Sequence, residues 1–155
     1  MRHLQLTEHF MLKEFAVSSQ YPVLAEQITF SYIEAEKFFL ICYLLLEPVR
    51  ERFKAPLKIT SGKRTPQLNK LINGSINSQH LRCEAADFEI DGIYLLQIYE
   101  WIYHELMGRW RQIIIYYEKD EAQFIHVAIP SLGLDNHPKA LIKEEGIYRP
   151  YGGVG

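Results

Sequence analysis

Hydrophobic positions in this chain change their period several times, and each change marks an element. Phe10, Leu12 and Phe15 predict a short helical or turn segment within residues 7–15 that lays three apolar side chains on the body. Over residues 32–53, Ile33, Phe38, Ile41, Leu45 and Val49 recur at a mostly helical spacing, with Ser31 placed to cap the start. Pro48 falls inside that stretch and predicts a kink or an unpaired carbonyl. Residues 57–60 alternate like a strand and stop at Ser61-Gly62, a turn signal. Thr65-Pro66 opens a short helix through Leu68, Leu71 and Ile72, which ends at Asn73-Gly74. Residues 86–90 read as a strand, and residues 93–107 as an amphipathic helix closed by Gly108. Two β-rich segments, 112–117 and 124–129, flank the charged run Glu118-Lys119-Asp120-Glu121 and predict a hairpin with a polar loop. Beyond Pro130, glycine, proline and asparagine are frequent, and residues 151–155 read as a frayed end. The outline is α+β, a small antiparallel sheet with helices packed on one side.

Length and charge narrow the possibilities. The 155 residues suit one domain, 1–155. Lys+Arg 17 against Asp+Glu 19 leaves a net charge of −2 without a long basic run, which argues against a nucleic-acid partner. The apolar run 38–46 is flanked by Glu36, Lys37 and Glu47 and is far shorter than the ~20 residues of a spanning helix, so no membrane anchor is expected. Residues 1–9 lack an apolar stretch of signal-peptide length, and the expectation is a chain made in the cytoplasm without an export signal of its own. Cys42 and Cys83 cannot build a disulfide framework, and Cys42 reads as core.

Three segments place polar groups in apolar surroundings: Ser61-Gly62-Lys63-Arg64, Ser78-Gln79-His80 with Cys83 to Asp87, and the strand around His126. In that strand Ile125, Val127 and Ile129 share one face and must be core, so His126 looks out on the opposite side with Phe124 and Ala128. Asp87 sits beside Phe88 and Ile90, where a carboxylate is costly to bury unless paired or metal-bound. Two imidazoles and one carboxylate would leave an open position on a tetrahedral zinc. The spacing from His80 to Asp87 is not a helical zinc motif, and a capping histidine with a turn-stabilising aspartate accounts for the same residues. His3 and His9, at a mobile N-terminus, and His104 and His137 read as surface residues.

Taken together, residues 59–69, Asn77-Ser78-Gln79-His80-Leu81, Ala85-Ala86-Asp87 and Phe124-Ile125-His126-Val127 resemble the zinc D-alanyl-D-alanine carboxypeptidases and L-alanyl-D-glutamate endopeptidases. These are peptidoglycan peptidases of the hedgehog/DD-peptidase fold, with the pattern Ser-Gly-x-Arg, then Ser-x-His-x-x-Gly-x-Ala-x-Asp, then a strand histidine. Residues 10–15 and 46–50 also look like cell-wall hydrolases, so the resemblance spans about residues 6 to 142 and implies a domain core of about 6–142 with a tail of 143–155. It implies zinc held by His80, Asp87 and His126, with Arg64 holding a substrate carboxylate or carbonyl and Ser78 orienting ligand or substrate. It implies a peptidoglycan stem peptide as substrate, a phage or prophage lysin as one setting, and the cell wall as the site of action after release.

Two positions depart from the pattern. The glycine between His80 and Asp87 is Cys83 here, which implies a strained loop, a crowded metal or a fourth ligand that would close the site. Many relatives carry an acid three residues before the strand histidine, where this chain has Gln123. Others have one at the end of the preceding strand, which resembles Glu118; Glu121 and Asp120 are the remaining candidates for the base, and all three could equally be loop charges. The alternative to an enzyme is a degenerate zinc-binding or cell-wall-binding module of the same fold.

Overall fold

A computed structural model describes residues 1–134 and 136–152. Ser31 caps α2 (Tyr32–Ile41) as the sequence predicts: its hydroxyl accepts from the Glu34 N–H, and the Glu34 carboxylate accepts from the Ser31 N–H. The long helix then widens into a π turn at Cys42–Leu46 before α3 (Glu47–Phe53). The wider turn lets Glu47 N–H bond to Cys42 C=O just before Pro48, so the proline is absorbed by a change of helical pitch. Two shorter helices, α1 (Pro22–Glu26) and α4 (Pro66–Leu71), each begin on a proline, and the first of them has no counterpart in the sequence reading. Thr65 caps α4 through its hydroxyl, and α5 (Leu95–Glu105) is the amphipathic helix expected over 93–107.

The sheet contains β1 (Lys58–Ser61), β2 (Ala85–Glu89), β3 (Gln112–Glu118), β4 (Glu121–Ala128), β5 (Lys139–Glu144) and β6 (Ile147–Pro150). Its order is β1-β2-β4-β3-β5-β6, antiparallel throughout except for the parallel pair β3–β5. The β3–β4 turn is tighter than a four-residue loop. Lys119 and Asp120 both take positive φ, and pairing starts directly at Glu118 and Glu121. Where the sequence reads a turn-rich tail, residues 139–150 add two strands: the connection from β4 straddles the start of β3, so Gln112 pairs Ala128 on one side and Lys139 on the other. Tyr151 is no frayed end, because its ring packs on Tyr99 and Tyr103; residues 153–155 of that expected tail lie outside the described residues.

The core lies against one sheet face. Ala86, Phe88, Ile113, Ile115, Ile125 and Val127 meet α2, the π turn, α5 and the 3-10 turn Leu12–Phe15, and all six are fully buried. Phe10, Leu12 and Phe15 are buried as expected, with Phe15 stacked on Phe38 at 4.6 Å. The N-terminus is not loose: Leu12 N–H bonds to Leu4 C=O, and His9 contacts the Glu47 carboxylate through both its backbone N–H and its ring, each at 2.8 Å. No helix among the described residues is long and apolar enough to cross a membrane.

Candidate metal centre and cleft

The opposite sheet face carries the polar residues. Register sets Ser61 beside Asp87, Asp87 beside His126, and His126 beside Ile114, so one row across four strands holds two of the three candidate ligands. A β-bulge at Thr60 is what turns Ser61 onto this row. The 3-10 turn Gln79–Arg82, capped by the Ser78 hydroxyl accepting from His80 N–H at 3.3 Å, lowers His80 onto the row from above. His80, Asp87 and His126 are buried, and one ligand atom from each lies within 4.8 Å of the others.

The hydrogen bonds around the trio decide which atoms face inward. His80 Nδ1 donates to Gly62 C=O at 2.8 Å, leaving Nε2 with a lone pair 3.1 Å from Asp87 Oδ1. His126 Nε2 lies 2.8 Å from Gln79 Oε1, and Nδ1 lies 2.8 Å from the same Asp87 Oδ1. With both outer nitrogens donating, two imidazole lone pairs converge on a carboxylate oxygen, an arrangement of acceptors that a cation would satisfy. Burial lowers the His126 pKa, with the Asp87 hydrogen bond and charge opposing it, so the neutral, metal-competent imidazole is favoured. Burial pushes the Asp87 carboxyl up; protonated imidazoles at His80 and His126 would outweigh that and hold it well below the usual range, so the trio keeps an anionic oxygen at its centre when no cation is bound. The donor set, nitrogen and oxygen with outer nitrogens fixed by a carbonyl and an amide, fits a borderline-soft divalent ion.

Gly62 explains its place in the Ser-Gly-x-Arg segment. A Cβ there would stand 2.4 Å from Phe15 C=O, so only glycine lets the 3-10 turn Leu12–Phe15 pack here while the Gly62 carbonyl orients His80. Arg64 follows two residues on, with its Nε donating to Ser61 Oγ at 3.1 Å and its guanidinium 3.6 Å from Asp87 Oδ2. Its side chain is mostly buried beside a cleft of about 580 Å³ that also exposes Ser78, His80, Asp87 and His126.

A comparison with family models matches residues 9–128 to peptidase M15. The chain belongs to the peptidase M15 family. No curated protein gives a significant match. The M15 assignment agrees with the α+β fold and supports a metallopeptidase, and the buried His–Asp–His trio is a group that could hold its metal.

Against this M15 frame the two departures resolve differently. Cys83 takes the left-handed conformation, φ 57°, which accounts for glycine at that position in the resemblance. Its thiol is buried at the edge of the core against the Glu34 carboxylate, where burial pushes its pKa up to about 12. Cys83 is therefore outside the trio, and the fourth-ligand reading is corrected by the direction of its side chain. Gln123 occupies a bulge in β4, since Tyr116 pairs Phe124 but Tyr117 pairs Ala122. It lines a groove with Asp87, Arg64 and Glu118. Glu118 is exposed at the hairpin end, four register positions from the partner of His126, which is roughly 13 Å along a strand, with the stacked Tyr116–Phe124 pair between. Of the other loop acids, Glu121 pairs Glu118 across the turn, and Asp120 sits at the turn itself.

The sequence reading did not single out Gln79 as the partner of His126, although it stands next to His80. It also missed Tyr116, Lys139, Lys143 and Tyr148 on the cleft wall. The short apolar run Ala140-Leu141-Ile142 was the available signal for β5, too brief to stand out among the neighbouring turn residues.

Proposed function

We propose that this chain is a zinc-dependent peptidase that hydrolyses an amide in the peptide stem of bacterial peptidoglycan. The observation that carries the reading is the convergence of His80, Asp87 and His126, with Arg64 beside them, on one open cleft. The M15 match and one continuous sheet through residue 150 support treating residues 1–155 as a single peptidase domain. His80, Asp87 and His126 would hold the ion. When bound, zinc supplies Lewis acidity, polarising a carbonyl and making water acidic enough to act as a nucleophile near neutral pH.

The remaining work falls to this chain's own side chains. Arg64, held by Ser61, presents a planar fork of donors to a substrate carboxylate or carbonyl beside the trio. Ser78 fixes the turn that carries His80 and faces the cleft, where it orients ligand or substrate. Glu118 is the proposed proton acceptor, passing the proton to the leaving amine. Besides Asp87, the carboxylates on its groove are Glu89 and Glu118, and Glu89 is paired with Lys58 at 2.9 Å whereas Glu118 has no ion-pair partner among the described residues. Its distance from the row requires bound substrate or ordered water to relay that proton.

A second reading, a zinc-dependent binder of cell-wall peptide without hydrolysis, is favoured by Gln123 in the bulge and by the remote position of Glu118. Digestion of purified peptidoglycan by the zinc-loaded protein, with mass spectrometry of the released fragments and a chelated control, separates the two. Chelator-sensitive cleavage supports the enzyme and its new termini name the bond; firm zinc binding with no cleavage supports the binder.

A further inference from the structure

The cleft carries a charge that the chain as a whole does not. Against a net charge of −2, the side chains lining it include Arg64, Arg82, Arg111, Lys139 and Lys143, with Asp87 as the acidic one. Arg82 is neutralised by Glu84 at 2.8 Å, and Arg64 faces Asp87. Arg111, Lys139 and Lys143 have no carboxylate partner among the described residues; Arg111 reaches only the Ser131 hydroxyl, at 3.2 Å.

These unpaired cations occupy one place in the fold. Leu141 of β5 pairs Ile114, which pairs His126, so the metal-ligand row continues onto β5. Lys139 and Lys143 straddle Leu141 on the same strand face, and Arg111 precedes Gln112, the partner of Lys139. Lys143 is held between two rings, its ammonium 4.7 Å from the centre of Tyr148 and 5.2 Å from that of Tyr116. At ~4.8 Å between strands and ~3.4 Å per residue, the two lysine backbones lie about 12 Å from that of His126. Both lysines stand on the sheet face that carries the trio, so a peptide extended across that face at ~3.5 Å per residue, with the reach of a carboxylate side chain added, meets them two or three residues from an amide at the trio. β5 and β6 lie beyond residue 128, where the M15 match ends.

We infer that the β5–β6 wall is a carboxylate-binding subsite, with Lys139, Lys143 and Arg111 selecting stem peptides whose internal carboxylates are free over stems in which they are amidated. The inference rests on the peptidase reading for its substrate. A free carboxylate two or three residues from the scissile amide gains ion pairs in a partly desolvated cleft, whereas a neutral amide leaves the cations unmatched.

The test compares two synthetic stem pentapeptides with the zinc-loaded full chain. One has its internal glutamyl and diaminopimelyl carboxylates free; the other has them amidated, with the same C-terminal carboxylate. The expected result is a kcat/KM for the free-acid peptide about tenfold or more above that for the amidated one, a preference that fades with added salt. In the Lys139→Gln/Lys143→Gln variant the free-acid rate falls toward the amidated rate while bound zinc is retained. The single Lys139→Gln change, at an exposed side chain, gives a smaller shift in the same direction and serves if the double variant folds poorly. Equal rates for the two peptides, or a preference that survives the double substitution, would overturn the subsite. If neither peptide is cut, the peptidase reading fails while calorimetric titration still decides the subsite. Tighter binding of the free-acid peptide that depends on the two lysines sustains it, and equal or no binding overturns it. Competition by inorganic phosphate at the same concentration as by the free-acid peptide also overturns it, as a general anion site.

Discussion

Strand β4 presents two faces with the same backbone geometry and opposite consequences. Ile125 and Val127 are fully buried against α5 and the helical layer, where any well-packed apolar side chain of similar volume would serve. One residue out of phase, His126 is buried to nearly the same degree, yet each of its ring nitrogens is aimed at a particular atom, Asp87 Oδ1 or Gln79 Oε1. Burial alone therefore does not separate core from site. What differs is whether the contact is fixed by volume or by direction, and directional contacts need partners from several elements at once.

That contrast can be broken by substitution on either face. Asp87→Ala removes the carboxylate oxygen on which both histidines converge and should abolish hydrolysis and most metal binding, measured by metal analysis of the purified chain; full activity with metal retained would end the ligand assignment. Glu118→Gln should lower the hydrolytic rate by ~10²-fold or more while zinc stays bound, and a rate within a few-fold of the parent would remove it as the base. Ile125→Ala should do the reverse of Asp87→Ala, costing about 2–5 kcal/mol in denaturant unfolding while bound zinc per folded chain is unchanged. Gln79→Ala leaves the ligands in place but frees the outer nitrogen of His126, so metal affinity in a chelator competition should fall about 10-fold. Cys83→Gly should have the smallest effect. Relief of the left-handed backbone, about 1–2 kcal/mol, is offset by lost burial of the side chain, and the net change should stay within about 1 kcal/mol.

Much of the site was legible because its residues sit in short, ordered segments. The alternation around His126 placed it on the face away from the core, and the carboxylate among apolar neighbours at Asp87 flagged a partner. The base was not legible, because Glu118, Asp120 and Glu121 are adjacent in sequence and differ only in where a two-residue turn leaves them. The bulge at Gln123 likewise has no signature in the alternation, since one extra residue shifts register without changing residue type.

By itself the sequence determined the Ser31 cap, the core strands and the glycine turns, since each follows from local period, and it marked Asp87 and His126 as polar groups among apolar neighbours; their grouping with His80 as candidate ligands came from the resemblance of the ordered motifs. Tertiary structure alone decided that β5 and β6 join the sheet beside β3. The partner of β5 lies more than twenty residues away in sequence, β6 pairs only with β5, and the three apolar residues 140–142 are too few to announce a strand. It also decided that Cys83 faces the core, that Gln79 holds His126, and that three cations gather on a wall of an otherwise slightly acidic chain. Side-chain direction and cross-strand register depend on what packs from distant elements, and no local pattern encodes that.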